Sequence, residues 1–220
     1  MFRVKICGIT RAEDLQAAAA AGADAVGLNF YAASPRAVSP ERARELAAAA
    51  PVGLVGSGVF VDTPVTEIRR LLRHTPLDAV QLHGDYPAEE IASLADLPVV
   101  LALRDSAPGF PAAHKLLAEC RAAGARFAAL LLDAHAPGRY GGTGLTVDWP
   151  AVAASRSAFG PEPLILAGGL TPANVAEALR ASTCDGVDTA GGVESSPGVK
   201  DHAKVRAFVE AARGKLESKE

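Results

Sequence analysis

Eight short apolar runs alternate with alanine-rich helical stretches along the 220 residues, at a spacing of roughly 25 residues. Neither a linker nor a low-complexity tract interrupts them. Strands that alternate with helices pair in parallel through right-handed crossovers, and eight such units are what a closed barrel requires. These observations predict an α/β protein, a single-domain (β/α)8 TIM barrel over residues 1–213 with a polar C-terminal tail at 214–220. An open doubly wound sheet is the alternative arrangement of the same units.

The first strand is expected at 2–7. Successive side chains of a strand point to opposite faces, so Phe2, Val4 and Ile6 share an apolar face while Arg3, Lys5 and Cys7 share the other. Thr10 with Glu13 reads as a capping box that opens the first helix. The second strand, 24–30, leads to Ser39-Pro40, an N-cap followed by proline at the first helical position. The third, 54–61, is followed by Thr63-Pro64 in the same pattern. The remaining strands are expected at 78–83, 98–103, 127–132, 163–167 and 185–189, with Thr171-Pro172 starting the helix after the seventh.

Parity then brings the polar residues together. If Val4, Ile6, Val80, Leu82 and Val187 face the helices, then Lys5, Cys7, Gln81 and His83 face the barrel interior. By the same count Asn29, Asp133 and Asp188 lie on inward faces at or near the carboxyl ends of strands two, six and eight. Those ends form one mouth in a barrel of this kind, which is where active sites sit.

With 49% hydrophobic, 21% charged and 5% aromatic residues the chain is globular, and a chain of this length buries roughly three-quarters of its unfolded surface. A formal charge of −3 with no block of Lys or Arg disfavours nucleic acid or anionic lipid as partner and points to a small diffusible substrate. Cys7, Cys120 and Cys184 are far apart, odd in number and free of any CxxC pair, so neither a disulfide framework nor a zinc ribbon is expected. No apolar signal segment and no run of about 20 apolar residues is present, which suggests a soluble, cytoplasmic protein.

Three glycine-rich stretches stand out: Gly141-Gly142-Thr143-Gly144, Gly168-Gly169 and Gly191-Gly192. Glycine lets the backbone approach a ligand, and a following helix N-terminus offers free N–H groups to an anion. The second and third stretches fall after strands seven and eight, the usual phosphate position in such barrels. Each candidate has an ordinary alternative. The glycine pairs could be tight turns, Cys7 a small buried hydrophobe, Asp133 a cap on a backbone amide, His83 a satisfied core imidazole and Arg36 a solvated loop charge. Arg104, Asp62 and Asp105 carry no assigned role.

The ordered set KICGIT (5–10), GADAVGLNFY (22–31), SPR (34–36), GVFVD (58–62), LDAVQLHGD (77–85), LLLDA (130–134), YGGTG (140–144), DW (148–149), LAGGLTPANV (166–175), GVDTAGGVE (186–194) and PGVKD (197–201) spans nearly the whole chain. In order and spacing it resembles the phosphoribosylanthranilate isomerase family of tryptophan biosynthesis. The resemblance implies an Amadori rearrangement of N-(5-phosphoribosyl)anthranilate, an aminoaldose, to 1-(2-carboxyphenylamino)-1-deoxyribulose 5-phosphate. The family's general acid, which protonates the furanose oxygen, falls on Asp133, and its general base, which takes the C2′ proton, falls on Cys7.

Further implications follow residue by residue. Arg36 matches the arginine that holds the anthranilate carboxylate, the phosphate falls on the amides of Gly168, Gly169, Gly191 and Gly192, and His83 and Asp188 contact or shape the substrate. The family's usual Ser-Ser-Gly-Val-Glu is here Ala190-Gly191-Gly192-Val193-Glu194, which removes two hydroxyl donors from the phosphate loop. No cofactor and no metal are expected, and the chain is expected as a monomer or homodimer. A thiol needs help to ionise at neutral pH, and Lys5 is placed to give it. The segment 134–147 is long enough to close over a substrate. Related phosphate-binding barrel enzymes, such as the isomerase of histidine biosynthesis, are expected to carry a carboxylate at position 7. A barrel that binds phosphosugars without catalysis has no need of the retained Cys7 and Asp133.

Overall fold

The structure, a computed structural model, describes residues 2–105, 107, 109–133 and 147–216. The elements run β1 (Val4–Cys7), α1 (Ala12–Ala20), β2 (Ala25–Asn29), α2 (Pro40–Ala48), β3 (Val55–Phe60), α3 (Val65–Leu72), β4 (Ala79–Leu82), α4 (Ala88–Ala92), β5 (Val99–Arg104) and α5 (Pro111–Ala122). They continue with β6 (Ala129–Asp133), α6 (Trp149–Ser155), β7 (Leu164–Leu166), α7 (Val175–Ser182), β8 (Gly186–Thr189), a small β9–β10 hairpin (Glu194–Ser196, Val199–Lys200) and α8 (His202–Leu216). Strands β1 to β8 pair in parallel in chain order, and β1 closes on β8 with Lys5 opposite Asp188. The expected closed barrel is thus the fold, and each strand lies within two residues of its expected span.

Two separate apolar clusters show which face is which. Val4, Ile6, Val26, Leu101, Leu103, Leu130, Leu132 and Leu166 join the helix residues in one large cluster. Their alternate neighbours Ala25, Val100, Ala102, Ala129, Leu131 and Ile165 form a second, which is the barrel interior. Phe2 belongs to that interior cluster, against expectation. It precedes the first residue of β1, so strand parity does not reach it, and its ring fills the floor of the barrel. Arg3 likewise leaves the inward set: its backbone N–H donates to Asp24 and the residue is exposed.

Helix starts were partly reassigned by tertiary partners. Ser39 caps α2 as expected, accepting from the N–H of Arg42. Thr10 does not cap α1; its hydroxyl donates to Gly198 O at 2.7 Å, and Arg11 occupies the cap position. Thr63 gives its hydroxyl to Val61 O, and α3 begins one residue later, after Pro64. After Thr171-Pro172 the chain makes one turn, in which Asn174 accepts from Thr171 N–H and donates to Gly169 O, so α7 begins only at Val175. Asp148 caps α6 ahead of Trp149-Pro150. Of the expected tail at 214–220, residues 214–216 belong to α8, which runs through the buried Leu216, and 217–220 lie outside the described residues. Among the described residues no helix is long and apolar enough to cross a membrane.

Candidate active site

The carboxyl ends of the strands open into one cavity of about 580 Å³, within the range of small-molecule sites. Cys7, Asn29, Gln81, His83, Asp133 and Asp188 all line it, as parity predicts, and Arg36 enters from the loop after β2. The residues of the loops after β7 and β8, including Gly168, Gly169, Gly191 and Gly192, line it as well. The first glycine-rich stretch, Gly141 to Gly144, and nearly all of the segment 134–147 lie outside the described residues.

Backbone conformation explains several of these glycines. Gly168 and Gly169 have φ of +85° and +61°, a conformation that side-chain-bearing residues rarely adopt. A Cβ on Gly192 would stand 1.8 Å from Leu170 O, so the two phosphate-side loops touch only because that carbon is missing. Gly27 has a different task that sequence reading missed. A Cβ there would lie 2.6 Å from Cys7 Sγ and 3.1 Å from Lys5 Nζ, so β2 leaves room for both reactive groups of β1.

Electrostatics around the thiol are set by three residues. Lys5 is fully buried and its Nζ donates to Asp188 Oδ2 at 3.0 Å. Burial alone pushes an ammonium pKa down, but the Asp188 carboxylate and Cys7 outweigh it, and the Lys5 pKa is raised. Lys5 is therefore a permanent cation. The Cys7 thiol pKa is nevertheless raised, because burial, with Asp188 adding to it, outweighs the pull of Lys5 and Lys200. The expected activation by Lys5 is present in sign but does not prevail over burial.

Across the cavity, His83 Nε2 lies 3.6 Å from Asp133 Oδ2, longer than a formed hydrogen bond. Burial, with Arg104 and Lys5 adding to it, lowers the His83 pKa to about 4, so the imidazole is neutral at physiological pH. Arg36 is bound to Glu194 through two parallel hydrogen bonds, Nε to Oε1 at 2.8 Å and Nη2 to Oε2 at 2.6 Å. Gly8, with φ of +73°, makes way for its stem: a Cβ there would meet Arg36 Cδ at 2.5 Å. Asn29 and Ser34 shape the same loop, with Asn29 accepting from Tyr31 N–H and Ser34 from Arg36 N–H. Glu194 and Lys200 were missed as site residues, although each is a charged position inside a quoted motif. Of the three residues left without a role, Asp105 caps the start of α5, Asp62 accepts from Asp85 N–H, and Arg104 pairs with Asp85.

A thiol and a carboxylate at one closed barrel mouth, with a guanidinium and two close-packed glycine loops lining the same cavity, define a class. The class is that of barrel enzymes that hold a small-molecule site at the carboxyl ends of their strands. Comparison with known proteins narrows the class: the family model described as N-(5'phosphoribosyl)anthranilate (PRA) isomerase matches residues 4–211. The chain belongs to that family. It is 47% identical over 213 residues to the N-(5'-phosphoribosyl)anthranilate isomerase of Pseudomonas aeruginosa, covering 97% of this chain and 96% of that one. The crystal structure of phosphoribosyl anthranilate isomerase from Thermotoga maritima is similar with a TM-score of 0.86 and 37% identity, over 97% of this chain and all of that one. A second, at TM-score 0.82 and 35% identity with the same coverage, is a complex with reduced 1-(o-carboxyphenylamino)-1-deoxyribulose 5-phosphate.

Proposed function

We propose that the chain converts N-(5'-phosphoribosyl)anthranilate to 1-(2-carboxyphenylamino)-1-deoxyribulose 5-phosphate, with Asp133 as general acid and Cys7 as general base. The observation that carries the reading is that both residues, on the inward faces of β1 and β6, open into one cavity with Arg36 and the two glycine loops at its edges. Asp133 gives a proton to the furanose oxygen as the C1′–O bond breaks, and the nitrogen lone pair closes to a protonated Schiff base. Cys7 thiolate then takes the C2′ proton, and the electron pair neutralises the iminium as an enolamine, which tautomerises to the ketone.

The raised thiol pKa fits this order of events. Desolvation at the barrel mouth opposes the thiolate. After ring opening the substrate itself carries a positive nitrogen, which favours the thiolate at the step that needs it, with Lys5 as a standing contribution. Arg36 receives the anthranilate carboxylate, and amides of Gly168, Gly169, Gly191 and Gly192 receive the phosphate. With the family's two serines replaced by Ala190 and Gly191, main-chain N–H groups carry that contact. His83 and Asp188 bound the sugar between these ends.

A steady-state assay following loss of anthranilate-linked fluorescence tests the reading. Cys7→Ala and Asp133→Asn are each expected to lower kcat by about 10²-fold or more while leaving thermal unfolding unchanged. A near-normal rate in either variant, or a folded wild-type protein with no turnover of authentic substrate, would overturn it.

A further inference from the structure

Glu194, in the cavity wall, and Lys200, bonded to it, are buried charges that the acid–base scheme does not use. Their side chains are 5% and 0% exposed, and at such depth a charge persists only with good partners. Glu194 has four: Arg36 Nε and Nη2, Lys200 Nζ at 2.8 Å, and Gly198 N–H at 3.2 Å. Lys200 in turn donates to Ala190 O at 3.0 Å, the carbonyl of the peptide that leads into Gly191. Two cations therefore share one carboxylate, and the cluster keeps a net positive charge toward the cavity.

The edge of Arg36 that Glu194 occupies is informative. A guanidinium presents paired N–H groups along its Nε/Nη2 side and along its Nη1/Nη2 end. Glu194 takes the side edge completely, which fixes the plane of the group and leaves the end edge for a second carboxylate. Lys200 performs an equivalent task on the other loop. In a trans peptide the C=O and N–H point in opposite directions, so holding Ala190 O also fixes where Gly191 N–H points. Arg36 Nη2 also lies 3.2 Å from the position a Cβ on Gly191 would take, so the glycine leaves room for the guanidinium beside the loop.

We propose that Glu194 is a positioning residue: clamped by Lys200, it holds Arg36 so that its end edge receives the substrate's aromatic carboxylate, and it ties that subsite to the Ala190–Gly191 peptide. This rests on the substrate assignment made above and adds the residue that sets its orientation. Glu194 touches no reacting atom and acts through Arg36.

The test is a double-mutant cycle on calorimetric binding of reduced 1-(o-carboxyphenylamino)-1-deoxyribulose 5-phosphate to the full chain, with steady-state kinetics alongside. Glu194→Gln is expected to weaken binding about tenfold to a hundredfold, with the loss of kcat/KM falling mainly on KM. In an Arg36→Met background the same substitution is expected to add almost nothing, because the two residues act as one unit. Glu194→Asp, which keeps the charge but draws it back by one methylene, is expected to lose less than Glu194→Gln and serves if the latter does not fold. Equal effects of Glu194→Gln with and without Arg36 would mean a merely structural role and overturn the proposal. Tighter binding in Glu194→Gln would also overturn it, since Glu194 would then be competing with the substrate for Arg36. A wild-type chain that binds the compound but lacks turnover defeats the acid–base assignment alone, and one that does not bind it defeats both.

Discussion

At Cys7 two demands conflict: burial in a barrel lined with packed side chains favours S–H, while the role proposed for it as a base needs S⁻. Lys5 is the local counterweight, and its effect is measurable. In Lys5→Met the pH at which Cys7 becomes reactive is expected to rise, read as the pH dependence of iodoacetamide alkylation located by mass spectrometry. Cys120 and Cys184 are fully buried and stay silent. A profile unchanged from wild type would show that Lys5 serves only Asp188. His83 makes the opposite kind of prediction, about stability. Its folded pKa of about 4 lies below the unfolded 6.5, so between these values the unfolded chain binds a proton that the folded chain refuses. Stability is then complete above pH 6.5 and declines as pH falls toward 4, by up to about 3 kcal/mol. His83→Gln should flatten that part of a urea-denaturation series across pH. Position 83 was legible as inward-facing from strand parity alone. That its imidazole stays neutral was not, because burial and the nearby Arg104 come from distant parts of the chain.

Elements differ in how far their own sequence governs them. Strand spans and faces were readable because a period of two is a local property, and β1, β4, β6 and β8 present their polar residues as the pattern requires. Helix starts were less readable, because a cap hydroxyl can be claimed from elsewhere. Thr10 bonds Gly198, 188 residues away. Ser39 has no such competitor and caps α2, so Ser39→Ala is expected to cost about 1 kcal/mol in chemical denaturation, against almost nothing for Thr63→Ala through capping. The pairing of β1 with β2 makes a stricter prediction. A methyl group at Gly27 would stand against Cys7 Sγ and Lys5 Nζ, so Gly27→Ala is expected to destabilise by about 1–3 kcal/mol and to lower activity beyond what stability explains. A fully active, fully stable variant would refute the tight apposition of the two strands. Nothing in the local sequence marks Gly27 for this role, since it reads as one small residue in an apolar strand.

For the whole molecule, closure of the barrel is the decisive event, and β1 is where it happens. Phe2, packed among interior residues from β2, β5, β6 and β7, seals the floor below the site. Phe2→Ala is expected to cost about 3–5 kcal/mol in equilibrium denaturation, with the midpoint shift the same whether or not substrate analogue is bound. The amino-acid sequence by itself determined the eight repeating units, the inward set of polar side chains at the strand ends and, through its ordered motifs, the family. Those are local or collinear properties, carried by period-two alternation and by spacing along the chain. Only the tertiary structure decided that Phe2 turns inward, that burial outweighs Lys5 at the Cys7 thiol, and that Glu194 and Lys200 brace Arg36. Each depends on groups far apart in sequence meeting in a dry interior, where desolvation and pairing, rather than residue type, set the outcome.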